Sequence, residues 1–120
     1  MADHNELGKK GEQIAVDFLI EKGYHILSRN YRFKRHEIDI IAQHQELLVV
    51  VEVKTRQSDF LADPQLLISK SKQKGVIHAA NAYINEQQFD GECRFDVIVV
   101  IINQKENELK HIIDAFYPAL

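Results

Sequence analysis

The chain has 120 residues, of which 45% are hydrophobic and 28% charged, with a formal net charge of −3 and a single cysteine, Cys93. That length is one domain able to bury a core, and no biased tract points to disorder. The acid-rich start (Asp3, Glu6, Glu12, Asp17) lacks the apolar stretch of a signal peptide. The longest apolar runs, Leu47 to Val51 and Val97 to Ile102, fall far short of the ~20 residues that span a bilayer, which predicts a protein with no membrane segment. One cysteine excludes an intramolecular disulfide and a Cys-based zinc cage, and fits a reducing cytoplasm.

Leu7, Ile14, Ala15, Phe18 and Leu19 recur at helical spacing after Asn5, a reasonable cap, and before Gly23, so an amphipathic helix is predicted over about Glu6 to Lys22. Tyr24 to Tyr31 reads as a first strand and the basic stretch Arg32 to Arg35 as a turn or loop. Glu37 to Ala42 and Leu47 to Arg56 read as strands joined by the short polar segment Gln43 to Glu46 into an antiparallel hairpin. Asp59 to Pro64 reads as loop. Ile68, Val76, Ile77, Ala79, Ala80, Tyr83 and Ile84 predict a second helix from about Leu67 to Asn85, with Gly75 its weak point. Arg94 to Ile102 is a β-branched run suited to a central strand, and Lys110 to Phe116 to a last one. The order αβββαββ is an α/β class in which a mixed sheet is flanked by helices.

Asp39 and Glu52 stand on the two hairpin strands, separated by 12 residues, and Lys54 follows Glu52 by two. Strands of Val and Ile seldom carry ionised side chains unless something pairs with them. Alternation puts Val50, Glu52 and Lys54 on one side of their strand. A turn centred near Gln45 and Glu46 places Asp39 opposite Glu52; one centred a residue earlier makes Glu52 its diagonal neighbour on the same face. Two converging carboxylates repel unless protonated or bridged, and their hard oxygens suit Mg²⁺ or Mn²⁺. An E-x-K triplet on a strand is by itself more often a structural ion pair. Asp96 is read either as a further site residue or as a structural partner of Arg94, with the structural role favoured. Glu37 either shares the face of Asp39 or sits at an exposed strand entrance.

The acidic balance counts against strong nonspecific binding of nucleic acid, but the charge is unevenly spread. Arg29, Arg32, Lys34 and Arg35 follow one another with no acid between, as do Lys70, Lys72 and Lys74, whereas the last 35 residues hold seven acids against three bases. Arg29, Arg32, Lys34, Arg35, Arg56, Lys72 and Gln73 are the candidate nucleic-acid contacts. Such runs are equally compatible with a solvated surface.

The run Glu37-Ile-Asp-Ile-Ile-Ala42, the short turn and Val49-Val-Val-Glu-Val-Lys-Thr-Arg56 resemble the core of the YraN family of bacterial proteins. That family is similar to archaeal Holliday-junction resolvases and to the restriction-endonuclease-like PD-(D/E)XK group. Gly8-Lys-Lys-Gly-Glu12, Gly23 to Arg32, Lys72-Gln73 and Arg94-Phe-Asp-Val-Ile98 continue the resemblance over nearly the whole chain. It implies a restriction-endonuclease-like domain, with Asp39 and Glu52 as metal ligands joined by the Val53 carbonyl, Lys54 as catalytic lysine and Glu12 as an additional acid. It further implies a Mg²⁺- or Mn²⁺-dependent endonuclease acting on branched or structured DNA, with a homodimer plausible. The alternative is a catalytically silent nucleic-acid-binding or interaction module on the same scaffold. One departure is His36, where the family usually has glycine.

Overall fold

The structure, a computed structural model, describes residues 2–57, 67–105 and 107–118, with side chains from residue 6 onward. Its elements are α1 (Ala2–Glu21), β1 (His25–Phe33), β2 (His36–His44), β3 (Leu47–Arg56), α2 (Lys70–Gln87), β4 (Cys93–Ile102) and β5 (Asn107–Phe116). The order αβββαββ is thus the observed one. The expected loop from Asp59 to Pro64 lies outside the described residues. Among those residues no helix is long and apolar enough to cross a membrane.

The five strands form one sheet in the order β1-β2-β3-β4-β5. Only β3 and β4 pair in parallel, joined through α2; the other neighbours are antiparallel. A parallel pair needs a long crossover, and α2 supplies it. The helices cover opposite faces. Val76, Ala79, Ala80 and Tyr83 of α2 pack with Ile38, Val50, Val97, Val99 and Ile101, while Ala15, Val16 and Leu19 of α1 pack with Ile40, Val49, Val51, Ile98 and Val100. β3 and β4 are therefore buried on both sides, which is why they read as continuous apolar runs.

Several boundaries differ from the sequence expectation, each for a local reason. α1 begins at Ala2, so Asn5 lies inside it and is not its cap. Gly23, with φ of 93°, does end it: the Tyr24 N–H donates to the Leu19 carbonyl at 2.9 Å and the Gly23 N–H to that of Ile20 at 3.0 Å, a left-handed termination that glycine favours. β1 continues through Arg32 to Phe33, which pairs with His36, so the expected basic loop shrinks to a turn at Lys34 and Arg35. Cross-strand pairing, including Arg32 to Glu37 at 3.1 Å, outweighs the turn-like composition there. The β2–β3 turn is the pair Gln45 and Glu46, with Gln45 at φ of 58°. α2 starts at Lys70 because the Ser69 hydroxyl accepts the Lys72 N–H at 3.1 Å, an N-cap. The helix runs unbroken through Gly75, where a Cβ would meet the His36 ring, 2.5 Å from Nδ1, so glycine leaves the space that ring occupies.

Asp96 takes the structural role. It is fully buried; Arg94 donates to it from Nε and Nη2, both at 2.8 Å, His111 from Nε2 at 2.7 Å, and the Asp114 N–H at 3.0 Å. Arg94 Nη2 also donates to the Tyr24 hydroxyl at 2.8 Å. This network sits where the β4–β5 register shifts between Phe95 and Val97 and Asp114 takes φ of 59°. Cys93 beside it is half-buried, and burial pushes its thiol up to about 12, so it is no reactive thiolate.

Burial works against ionising Asp96, but the hydrogen bonds from His111 and Arg94 outweigh it and hold the carboxyl below its usual value. A carboxyl lowered on folding stabilises above its unfolded pKa, about 4, and loses that contribution as pH falls through the folded value. Asp96→Ala is expected to cost about 3–5 kcal/mol at neutral pH by orphaning Arg94, and to flatten the acid limb below about pH 4. Urea denaturation across that range checks both; an unchanged acid limb would remove this role.

Candidate metal centre at the fork of β2 and β3

The hairpin ladder runs from His44–Leu47 to Ile40–Val51 and stops there. The next two residues in register are Asp39 and Glu52, the facing arrangement expected from a turn at Gln45 and Glu46. Beyond this point β2 pairs with β1 alone and β3 with β4. Two backbone N–H groups at the fork thus need other acceptors. The Asp39 N–H donates to Glu52 Oε2 at 3.2 Å, and the Val53 N–H donates to Asp39 Oδ2 at 2.8 Å. Each carboxylate replaces the carbonyl that the partner strand has withdrawn. The side-chain alternation also breaks here, since Ile38 faces the α2 core and Ile40 the α1 core.

Burying two acids side by side has an electrostatic consequence. Glu52 is 2% exposed, and burial, then the Asp39 charge, push its carboxyl up to about 7 against the opposing charge of Lys72. Asp39 is also raised, by burial first and then by the Glu12 and Glu37 charges, against the Val53 hydrogen bond and Lys72. Lys72 Nζ lies 3.6 Å from Glu52 Oε1.

Where the strands separate, a cleft of about 640 Å³ opens, with Glu12, Asn30, Arg32, Asp39, Lys54 and Arg56 among its walls. α1 brings Glu12 there, seated by Gly11, whose missing Cβ would fall 2.0 Å from Thr55 Oγ1. Glu12 Oε1 accepts from Asn30 Nδ2 at 3.1 Å and from Arg29 Nε and Nη2 at 3.4 Å, so β1 tethers it. Lys54 is half-buried on this wall. Val53 lines the cleft as well.

The candidate nucleic-acid contacts divide. Arg32 and Arg56 line this cleft. Arg35 and Lys72 line a second one, of about 360 Å³, with Glu37 belonging to both. Glu37 is thus on the cleft and paired with Arg32 rather than at an exposed entrance. Arg29 is engaged with Glu12 and with Gln13 Oε1 at 3.0 Å. Lys34 lies over its neighbour Phe33, 5.4 Å from the ring centroid. Gln73 donates to the Ile68 carbonyl at 3.0 Å and so closes the start of α2. Neither the tether Asn30 nor the direct approach of Lys72 to Glu52 is visible in the sequence; no spacing rule links α2 to β3 at 20 residues' remove.

The donor set fits a hard divalent cation. Asp39 Oδ1 and Glu52 Oε1 are the oxygens that the backbone leaves over. Among the described residues no group of three or more His, Cys, Asp or Glu side chains is gathered around one point. Two carboxylates with retained water are a pattern Mg²⁺ accepts, since it dehydrates reluctantly and keeps several waters in its octahedral shell.

A family model described as "Uncharacterised protein family UPF0102" matches residues 11–100, a span that includes Glu12, Asp39, Glu52, Lys54 and Lys72. A UPF0102 protein of Flavobacterium psychrophilum is 47% identical over 98% of each chain. One of Bacteroides thetaiotaomicron is 46% identical over 100% of this chain and 99% of its own, and one of Chlorobium phaeobacteroides 46% over 93% and 94%.

Because the folded Glu52 carboxyl lies above its ordinary value, the folded state keeps a proton the unfolded chain releases. Its contribution is present below about pH 4.5 and lost as pH rises through about 7. The denaturation midpoint of metal-free protein is expected to fall across that interval, and Glu52→Gln to remove most of the fall. A wild-type midpoint that climbs while the Gln variant tracks it would contradict this electrostatic account.

Proposed function

The chain belongs to UPF0102, the uncharacterised YraN family, and on that premise we propose that it is a cytoplasmic metal-dependent nuclease hydrolysing phosphodiester bonds in branched or structured DNA. The observation that carries the reading is the Asp39–Glu52 pair, raised by burial: Asp39 lines a cleft with Lys9, Arg32, Lys54 and Arg56, and the buried Glu52 stands directly behind it. An acid pair that resists full ionisation beside four basic residues is matched to a divalent cation and a phosphodiester together.

Asp39 and Glu52 would hold Mg²⁺ or Mn²⁺ through the oxygens not taken by the backbone, with the Val53 carbonyl as a further donor. Once bound, such an ion supplies Lewis-acid polarisation of the phosphate and a more acidic water. Lys54 offers its ammonium to the charge that develops on the phosphate oxygens as water adds to phosphorus and the leaving oxygen departs. Glu12, held by Asn30 and Arg29 on the opposite wall, orients that water. Arg32 and Arg56 place the backbone by its charge, which confines binding to this face of an acidic chain. Two copies acting together would set two clefts on one branched substrate, and light scattering tests that dimer.

Purified protein with Mg²⁺ or Mn²⁺ is expected to cleave branched or flapped duplexes. Asp39→Asn and Glu52→Gln, which keep an acceptor oxygen for the fork's N–H groups, and Lys54→Ala should each reduce the rate by at least about 100-fold, with circular dichroism unchanged. Equal residual cleavage in the three variants would identify a contaminant. Cation-dependent DNA binding without cleavage by the wild type would leave a binding module on a nuclease-like scaffold.

A further inference from the structure

The cation nearest the carboxylate pair comes from α2, not from the strand that carries Glu52. Lys72 Nζ is 3.6 Å from Glu52 Oε1, whereas Lys54 is within ion-pair distance of no acid among the described residues. The Lys72 main chain is held firmly: Ser69 caps its N–H at 3.1 Å, Gln73 ties back to Ile68, and Gly75 sits hard against His36. Its side chain is different. It is 43% exposed, against 2% for its partner. A buried carboxylate thus shows one oxygen to an ammonium on a flexible stem that has an open route to water, and 3.6 Å is a loose ion pair without hydrogen-bond geometry.

The charge balance gives that looseness a use. Two ionised carboxylates carry two negative charges, which one ammonium halves and one divalent cation cancels. An ammonium and a divalent cation cannot both sit beside Glu52 Oε1 without strong mutual repulsion. Lys72 also has a place to go, the cleft of about 360 Å³ that it lines with Arg35, His36 and Ser71.

Resting on the reading of Asp39 and Glu52 as cation ligands, we propose that Lys72 is the exchangeable counter-cation of the pair, standing beside Glu52 Oε1 in the metal-free protein and released into the adjacent cleft when a divalent cation binds. Lys72 is then a positioning residue for metal uptake and not a ligand. It keeps the metal-free fork intact and opposes occupation by the metal.

The test is calorimetric titration of Mn²⁺ into the wild type, Lys72→Met and Lys72→Arg, with thermal melts of each. Lys72→Met keeps the stem and removes the charge, and at a 43% exposed side chain it is compatible with folding. It is expected to bind Mn²⁺ about threefold to tenfold tighter than the wild type, with Lys72→Arg close to the wild type. Without metal Lys72→Met should melt lower than the wild type, and saturating Mn²⁺ should erase the difference. Unchanged or weaker Mn²⁺ binding by Lys72→Met overturns the counter-cation role while leaving the metal site standing. No Mn²⁺ uptake by the wild type overturns both.

Discussion

Two backbone N–H groups at the fork of β2 and β3 are the constraint on which the rest of this structure turns. A sheet can separate neighbouring strands in its interior only if the donors left behind find acceptors, because an orphaned buried N–H costs about as much as a lost hydrogen bond. Asp39 and Glu52 supply those acceptors reciprocally, at 2.8 Å to Val53 and 3.2 Å to Asp39. The solution sets two acids next to one another, Glu52 buried and Asp39 half-buried at the cleft. The raised carboxyls, the cleft between the diverging strands and the approach of Lys72 all follow from that arrangement.

Asp96 makes the point by contrast. It too is an acid within an apolar strand, yet it collects four hydrogen bonds, three of them from Arg94 and His111, and its carboxyl is lowered. Glu52 and Asp39 each receive one backbone N–H, and among the described residues Lys72 stands 3.6 Å from Glu52 alone; their carboxyls are raised. The same residue class in the same kind of strand has its carboxyl lowered where its charge is fully matched and raised where it is not. The two helices divide the work on the centre. α1 sets Glu12 on one wall through the Gly11–Thr55 contact, and α2 sends Lys72 to Glu52 from the other face of the sheet.

The order of elements, the burial of β3 and β4 and the facing of Asp39 and Glu52 are legible in the sequence because each depends on periodicity within one element or on the length of one turn. Apolar runs without alternation mark strands covered on both sides, and a two-residue turn sets hairpin register by counting. The true extent of the β1–β2 turn is not legible, because Arg32 and Phe33 look like loop until Glu37 and His36 stand opposite them. Asn5 looks like a cap because helix continuation toward Ala2 leaves no local mark.

What the amino-acid order determined by itself is therefore the scaffold and the pair: a mixed sheet between two helices, with Asp39 and Glu52 brought together across a hairpin. Only the tertiary structure decided that the ladder ends at this pair, that Asn30 and Arg29 hold Glu12, and that Lys72 rather than Lys54 stands next to Glu52. Sequence spacing reports geometry along a chain segment, whereas these contacts arise where separate elements pack, and the distance between an α2 ammonium and a β3 carboxylate is set by the core that lies between them.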